Sequence, residues 1–123
     1  MEIELQSTAD QDIKQIAVEG RITTLDFESG QPNPIEQLMG PDWASSKLIL
    51  DLKEVPFMDS TGIGWLVGTH RRLTENGGRL VVHSIHPNVL QMLQLLKIGS
   101  LLSLVETQEE ALKVINQDPG QGV

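Results

Sequence analysis

Between a short apolar run and a helix-like pattern, the chain reads Phe57-Met58-Asp59-Ser60-Thr61-Gly62-Ile63-Gly64. The run before it, residues 47–52, is typical of a buried strand, and residues 61–76 carry apolar side chains at helical spacing. A strand, a tight turn and a helix therefore follow one another. This order puts the Ser60 hydroxyl at the surface beside a helix N-terminus, where unpaired N–H groups and a partial positive charge tolerate an added anion.

The composition is that of a soluble protein with one domain. The 123 residues suffice for a single core, and no apolar run approaches the roughly eighteen residues that cross a bilayer. The acidic, alternating start is unlike a signal peptide, and the absence of cysteine excludes disulfides and a thiolate zinc site. We therefore expect one cytoplasmic domain over residues 1–123, without membrane insertion, in which residues 118–123 form a frayed tail.

The charge balance argues against nucleic acid as a direct partner. There are 9 basic and 17 acidic residues, which gives a formal net charge of −8. Such a surface repels phosphate backbones unless a basic patch is segregated, and the only basic cluster is Arg71-Arg72. We expect no direct binding of nucleic acid.

The order of the predicted elements indicates an α/β fold. Two opening strands, residues 1–6 and 13–19, are joined by a turn around residues 9–12. A loop with a short helix at residues 35–39 follows. Strands at 47–52, 79–83 and 101–105 then alternate with helices at 61–76, from Pro87 to Gly99, and from the possible capping box at residues 107–110 through Ile115. This alternation predicts a mixed sheet of about four to five strands with helices packed against it.

The turn at Asp59-Ser60 has two interpretations. Serine and aspartate commonly cap helices, so either side chain could have that role alone. Alternatively, Ser60 is a phosphoacceptor. A phosphate there would add close to two negative charges, which the helix dipole favours and Asp59 opposes.

Enzymatic and ligand-binding motifs are incomplete. A nucleophile elbow needs glycine two residues before and after the serine, but Met58 occupies the first position, and His83 or His86 would have to act as base. The pair Gly62 and Gly64 lacks the third glycine of a dinucleotide fingerprint. The three histidines have no ligand-like spacing, and His70 falls on the apolar stripe of its helix. We expect no enzymatic activity, cofactor or metal, although small-ligand binding remains a third possibility without a motif.

The long helix has a second face off its apolar stripe. Glycine inside a helix costs roughly 1 kcal/mol, so two of them on this face need a reason. Either another backbone approaches closely, with the tryptophan as an anchor, or the glycines pack against a strand of the same chain. We favour a partner surface because the face begins at Ser60 and includes Thr61, Gly64, Trp65, Gly68 and Arg72.

The quoted residues resemble the signature of the STAS domain, and more closely that of the bacterial anti-sigma factor antagonists. The resemblance extends through residues 77–82 and the Pro87 helix to residues 109–112, and so covers about the last two-thirds of the chain. The Asp-Ser-Thr-Gly-Ile-Gly core is fairly specific when it lies between a strand and a helix.

The resemblance implies a regulatory cycle with two protein partners. An anti-sigma factor with serine kinase activity phosphorylates the serine, and a PP2C-type phosphatase resets it. The unphosphorylated antagonist binds the anti-sigma factor and frees the sigma factor. Here Ser60 would be the phosphoacceptor, and Asp59, Thr61 and Gly62 the recognition turn. The exposed face of the helix would meet the partner.

One segment departs from the family pattern. The family often ends its second strand with Gly-x-Leu-Asp, whereas this chain has Gly20-Arg21-Ile22-Thr23 and its next acid is Asp26. The identity of the partner or the recognition by the kinase could differ as a result. The alternative is a STAS accessory subunit that docks constitutively to a transporter or a lipid-trafficking complex.

Overall fold

The computed structural model describes residues 1–6 and 12–117, which form one five-stranded sheet and four α-helices. The strands are β1 (Glu2–Gln6), β2 (Ile13–Glu19), β3 (Lys47–Glu54), β4 (Arg79–His83) and β5 (Leu104–Val105). The helices are α1 (Pro34–Met39), α2 (Ser60–Glu75), α3 (Pro87–Leu95) and α4 (Gln108–Ile115). Three short 3₁₀ turns lie at Thr24–Asp26, Trp43–Ser45 and Gly99–Leu101. The predicted α/β class is confirmed.

The strands lie in the sheet in the order in which they occur in the chain. β1 pairs antiparallel with β2, while the pairs β2–β3, β3–β4 and β4–β5 are parallel. The sheet is therefore mixed, as predicted. The predicted turn around residues 9–12 and the predicted frayed tail at 118–123 lie outside the described residues, except for Asp12. Because α2 and α3 connect parallel strands, their N-termini lie at the carboxyl edge of the sheet.

The core has two parts because the sheet is covered on both faces. Successive side chains of a strand point to opposite faces, so Leu48, Leu50 and Leu52 of β3 enter the larger cluster while Ile49 enters the smaller one. The larger cluster lies under α1, α2 and α3 and includes Trp43, which is 2% exposed. The smaller one packs β2, β3 and β4 against α4. Burial on both faces explains why residues 47–52 read as a nearly continuous apolar run.

The last third of the chain shows the largest boundary differences. α3 was predicted to stop at Gly99, but it ends at Leu95 because Lys97 adopts a left-handed conformation (φ 58°) and the Ile98 N–H returns to the Leu93 carbonyl at 3.1 Å. This is the hydrogen bond of a Schellman cap, here without glycine. Residues 99–101 then form a 3₁₀ turn, which shortens the predicted strand to Leu104–Val105.

Two further features complete the fold. Of the capping box predicted at residues 107–110, the structure shows the half made by Thr107, which caps α4 by accepting a hydrogen bond from the Glu110 N–H at 3.1 Å. At the other end of α4, the Arg79 guanidinium donates to the carbonyls of Val114 and Gln117 at 2.8 and 2.6 Å. No helix in the described part of the chain is both long enough and apolar enough to cross a membrane.

Candidate functional site

The turn between β3 and α2 presents one hydroxyl that is not engaged. Asp59 is the N-cap of α2 and its Oδ1 accepts the Gly62 N–H at 3.0 Å. Ser60 is the first helical residue and is exposed, and no hydrogen bond of its side chain is found in residues 1–6 and 12–117. The capping role therefore belongs to Asp59. The Ser60 hydroxyl remains accessible at the N-terminus of the helix.

A second segment, residues 22–24, is hydrogen-bonded to this turn. Ile22 forms an isolated parallel bridge with Met58, and its carbonyl accepts the Asp59 N–H at 3.1 Å. Thr24 donates its N–H and its hydroxyl to Asp59 Oδ2 at 2.8 and 3.2 Å, and the hydroxyls of Thr24 and Thr61 lie 2.8 Å apart. The polar groups that flank Ser60 are thus occupied by one another.

The hydrogen bonds to Asp59 keep its carboxylate ionised. The backbone N–H of Gly62, followed by that of Thr24, lowers the pKa of Asp59 below its ordinary value. Asp26 lies in the same neighbourhood and binds the Met1 ammonium at 2.6 Å. Burial opposes the charge of Asp26, but the bonds from that ammonium and from the Thr23 N–H outweigh it, and the pKa of Asp26 is lowered as well. Both carboxylates are therefore ionised; Asp59 directly precedes Ser60, and Asp26 is paired with the Met1 ammonium.

The first turn of α2 lies so close to residues 22–24 that position 62 has no room for a side chain. A Cβ at this position would lie 2.7 Å from the Ile22 carbonyl oxygen and 2.9 Å from Ile22 Cγ2. Real Cβ atoms do not approach backbone oxygen so closely. Gly62, predicted as part of the recognition turn, therefore lets the first turn of α2 lie directly on Ile22.

An open depression of about 670 Å³ adjoins the turn and is lined by Met1, Arg21, residues 23–26 and Asp59. The Arg21 guanidinium lies over the Phe57 ring, 4.7 Å from its centroid. On the rim, Leu25 is 93% exposed. The Ser60 turn is thus bordered by carboxylates, by the Arg21 guanidinium and the Met1 ammonium, and by one apolar side chain.

The face of α2 that was predicted to contact a partner is exposed at Gly64, Gly68 and Arg72 but not at Trp65. Gly64, Gly68 and Arg72 are exposed, and a Cβ at either glycine would meet no heavy atom within 4 Å. Within residues 1–6 and 12–117, the glycines therefore do not pack against a strand. The Arg72 guanidinium lies 5.8 Å from the centre of the Trp43 ring.

Trp65 does not have the exposed position that an anchor would need. Its side chain is 9% exposed, and its indole N–H donates to Asn33 Oδ1 at 3.0 Å. Phe27 lies against it, with ring centroids 5.9 Å apart. The residue faces inward because the segment before α1 folds over α2 and supplies both an aromatic neighbour and a hydrogen-bond acceptor. The prediction of Trp65 as a partner anchor is corrected accordingly.

The histidines have other contacts than those of a hydrolase. His83 is 4% exposed, and its Nδ1 lies 2.8 Å from the Ser84 hydroxyl, while burial lowers its pKa. His86 Nδ1 accepts the Asn88 N–H. Neither imidazole is hydrogen-bonded to Ser60 in the described part of the chain. Within the same residues, no group of three or more His, Asp or Glu side chains is arranged to hold a metal ion.

Comparison with known families identifies the fold. The STAS domain family matches residues 5–111, which is most of the chain. The chain belongs to the STAS domain family. A curated relative of this STAS domain is the anti-sigma F factor antagonist of Paenibacillus polymyxa, with 28% identity over 65 residues. That match spans 53% of this chain and 56% of the relative's length.

Solved structures agree with the fold. A putative anti-sigma factor antagonist from Thermotoga maritima superposes with a TM-score of 0.73 at 15% identity, covering 94% of this chain and 95% of that one. The Bacillus cell fate determinant SpoIIAA in its phosphorylated form gives 0.59 at 20% identity, covering 94% and 100%. A sulfate transporter family protein from Wolinella succinogenes gives 0.63 at 15% identity, covering 89% and 88%.

Sequence reasoning missed the contribution of residues 22–25 to this STAS domain's site. The sequence predicts a loop here, with Thr23 in place of the acid that the family often has. In the structure, Thr23 caps the 3₁₀ turn reciprocally with Asp26, and Thr24 makes the contact with Asp59. The spacing of a threonine and an acid three residues apart is the pattern of a capping box and could have indicated an ordered turn here.

Proposed function

We propose that this STAS domain is a phosphorylation-controlled binding module that antagonises an anti-sigma factor. In this proposal Ser60 is the phosphoacceptor, and the unphosphorylated form binds the anti-sigma factor, which is also the serine kinase. Phosphorylation releases the partner, and a PP2C-type phosphatase resets the cycle. The module itself is not an enzyme and acts on transcription indirectly.

The observation that carries the proposal is the free Ser60 hydroxyl in a turn whose other polar groups are engaged. Asp59 accepts three hydrogen bonds, and the Thr61 hydroxyl contacts that of Thr24. A kinase can reach Ser60 without first breaking a side-chain hydrogen bond in the described part of the chain. The curated relative is named as an anti-sigma F factor antagonist, which supports the assignment of the partner class.

Charge explains how phosphate at Ser60 would work as a switch. A phosphoserine carries about −1.5 to −2 charges at neutral pH, and the N-terminus of α2 accommodates them. Asp59 already places negative charge next to Ser60, whereas the charge of Asp26 is paired with the Met1 ammonium, so the modification increases the anionic field beside Asp59 without removing the helix cap. A partner that packs closely on the turn would have to bury or oppose this charge, and it therefore dissociates.

The first test is phosphate mapping. Incubation of the purified chain with ATP and an extract of its own cells, followed by peptide mass spectrometry, is expected to find phosphate on Ser60. Ser60→Ala should abolish it, whereas Ser100→Ala, which changes an exposed serine in the Gly99–Leu101 turn, should not. Absence of phosphate on Ser60, in an extract that phosphorylates another serine substrate, would contradict the proposal.

The second test is affinity for the purified kinase-type anti-sigma factor of the same organism. We expect Ser60→Ala to bind permanently and Ser60→Asp to fail to bind. Equal affinity of the two variants would leave only constitutive docking. Constitutive docking to a transporter is the second candidate, because a sulfate transporter family protein shares the fold. It predicts that binding does not respond to charge at Ser60.

A further inference from the structure

Leu25 is the most exposed of the large apolar side chains in the described part of the chain. It is 93% exposed, against 73% for Leu95 and 56% for Leu96. A leucine this exposed contributes almost no hydrophobic stabilisation to the fold, since that stabilisation scales with the apolar area removed from water. Single exposed leucines are common on protein surfaces, so its meaning depends on where and how it is held.

The backbone around Leu25 is fixed by hydrogen bonds on both sides. Thr23 accepts the Leu25 N–H, and the Asp26 carboxylate accepts the Thr23 N–H at 2.8 Å and binds the Met1 ammonium. Thr24 connects the turn to Asp59 and Thr61. Leu25 is therefore held out from an ordered 3₁₀ turn that is joined to the Ser60 turn. Because this backbone is already ordered in the free domain, a partner that covers Leu25 does not have to order a loop, which lowers the entropic cost of binding.

We propose that Leu25 is the apolar anchor through which the anti-sigma factor recognises this domain. The inference rests on the proposed function and specifies its partner surface: an apolar pocket for one leucine side chain, next to the site that receives Ser60. Leu25 thereby takes the anchor role that the buried Trp65 does not have.

The apolar contact also accounts for release after phosphorylation. A partner that buries Leu25 excludes water from the neighbouring Ser60 turn, because Thr24 ties the two turns together. A phosphate dianion placed in such a dry interface loses hydration and repels Asp59. The same contact that gives the unphosphorylated form its affinity therefore makes the phosphorylated form dissociate.

Photo-crosslinking in the source cells tests the inference with the full chain. A benzophenone amino acid replaces Leu25, Gly64 or Leu95 in turn, and adducts are identified by mass spectrometry. Leu95 is the matched control, because it ends α3 at the edge of the sheet opposite to the Ser60 turn. We expect position 25 to give an adduct with an anti-sigma factor, lost in the Ser60→Asp background, and position 95 to give none.

Other outcomes separate the two proposals. An anti-sigma adduct from position 64 with none from position 25 would overturn the Leu25 inference and leave the proposed function intact. An adduct at position 25 that persists with Ser60→Asp would keep Leu25 as a contact and would contradict the proposed function, because binding would then not respond to charge at Ser60. No anti-sigma adduct from any position would contradict both.

Affinity measurements give the size of the contribution that Leu25 makes to binding. Leu25→Ala should weaken binding of the purified anti-sigma factor about tenfold, because it removes most of a side chain that is buried only in the complex. Leu25→Met should keep most of the affinity, and Leu95→Ala all of it. Thermal unfolding of the free chain should be unchanged in each variant, which distinguishes a lost contact from a lost fold. An unchanged affinity for Leu25→Ala would refute the inference.

Discussion

The contact between Gly62 and Ile22 makes the sharpest prediction about stability. In Gly62→Ala, the new Cβ would lie 2.7 Å from the Ile22 carbonyl oxygen and 3.3 Å from its carbonyl carbon. These are backbone atoms, and the oxygen already accepts the Asp59 N–H at 3.1 Å. Ile22 cannot move away without stretching its bridge to Met58. The strain therefore has to be taken up by the turn that presents Ser60.

Two opposing contributions set the magnitude. Overpacking of a well-packed site typically costs about 1–3 kcal/mol. Replacing glycine by alanine in a helix returns up to about 1 kcal/mol, and less in a first turn such as this one. We expect a net loss of about 1–2 kcal/mol in the free energy of unfolding. For a domain of this size, each 1 kcal/mol corresponds to a shift of about 4 °C in Tm.

Two other glycines of the same helix are matched controls. A Cβ at Gly64 or Gly68 would meet no heavy atom of the described residues within 4 Å, so each alanine variant should be more stable by about 0.5–1 kcal/mol. Urea unfolding followed by tryptophan fluorescence measures the free energy of unfolding of all three alanine variants. If Gly62→Ala proves as stable as Gly68→Ala, the close approach of α2 to Ile22 does not limit this position, and the reasoning fails. Phosphorylation of Ser60 should slow in Gly62→Ala alone.

Two further predictions concern Asp59 and Arg79. Because hydrogen bonds from Gly62 and then Thr24 lower the pKa of Asp59 in the folded state, their stabilisation is present above the ordinary value of 3.8 and is lost as the pH falls through the lower folded value. When the free energy of unfolding is measured as a function of pH, Asp59→Asn should therefore be less stable than the parent chain at pH 7, and its stability should fall less on acidification. The control Asp42→Asn removes no capping hydrogen bond and should behave like the parent chain. Arg79→Met removes the hydrogen bonds to the carbonyls of Val114, in the last turn of α4, and of Gln117, just after it, and should lower the free energy of unfolding by about 1–3 kcal/mol. Hydrogen exchange should then accelerate in α4 and not in α2, and equal acceleration in both helices would contradict this local role.

The parts of the fold that could be predicted are those with a local cause. Residues 47–52 read as a buried strand because β3 is covered on both faces, and Pro87 opens α3 because its missing N–H costs nothing there. The end of α3 was misplaced for the opposite reason. Lys97 takes the left-handed conformation that glycine usually supplies, since the following Ile98 packs into the core. That preference is tertiary and leaves no local signal.

The site shows the same division. The Asp-Ser-Thr-Gly stretch predicted the turn, its exposed hydroxyl and the cap at the start of α2. The contribution of Ile22 and Thr24 comes from a segment 35 or more residues away, which the parallel bridge to Met58 brings alongside. The inward orientation of Trp65 also depends on residues far away in the sequence, because Phe27 and Asn33 contact its ring. Helical periodicity counts only contacts along one element, so it assigned this tryptophan to the outer face.

The two exposed glycines of α2 connect stability with binding. Gly62 has a reason within the fold, whereas Gly64 and Gly68 weaken the helix and touch nothing in the described part of the chain. If their alanine variants gain stability and keep full affinity for the anti-sigma factor, the exposed face of α2 is not used, and recognition rests on the Ser60 turn and Leu25. If the variants gain stability and lose affinity, the bare backbone between Ser60 and Arg72 is itself a contact surface, because an added methyl group can then weaken binding only by keeping the partner away.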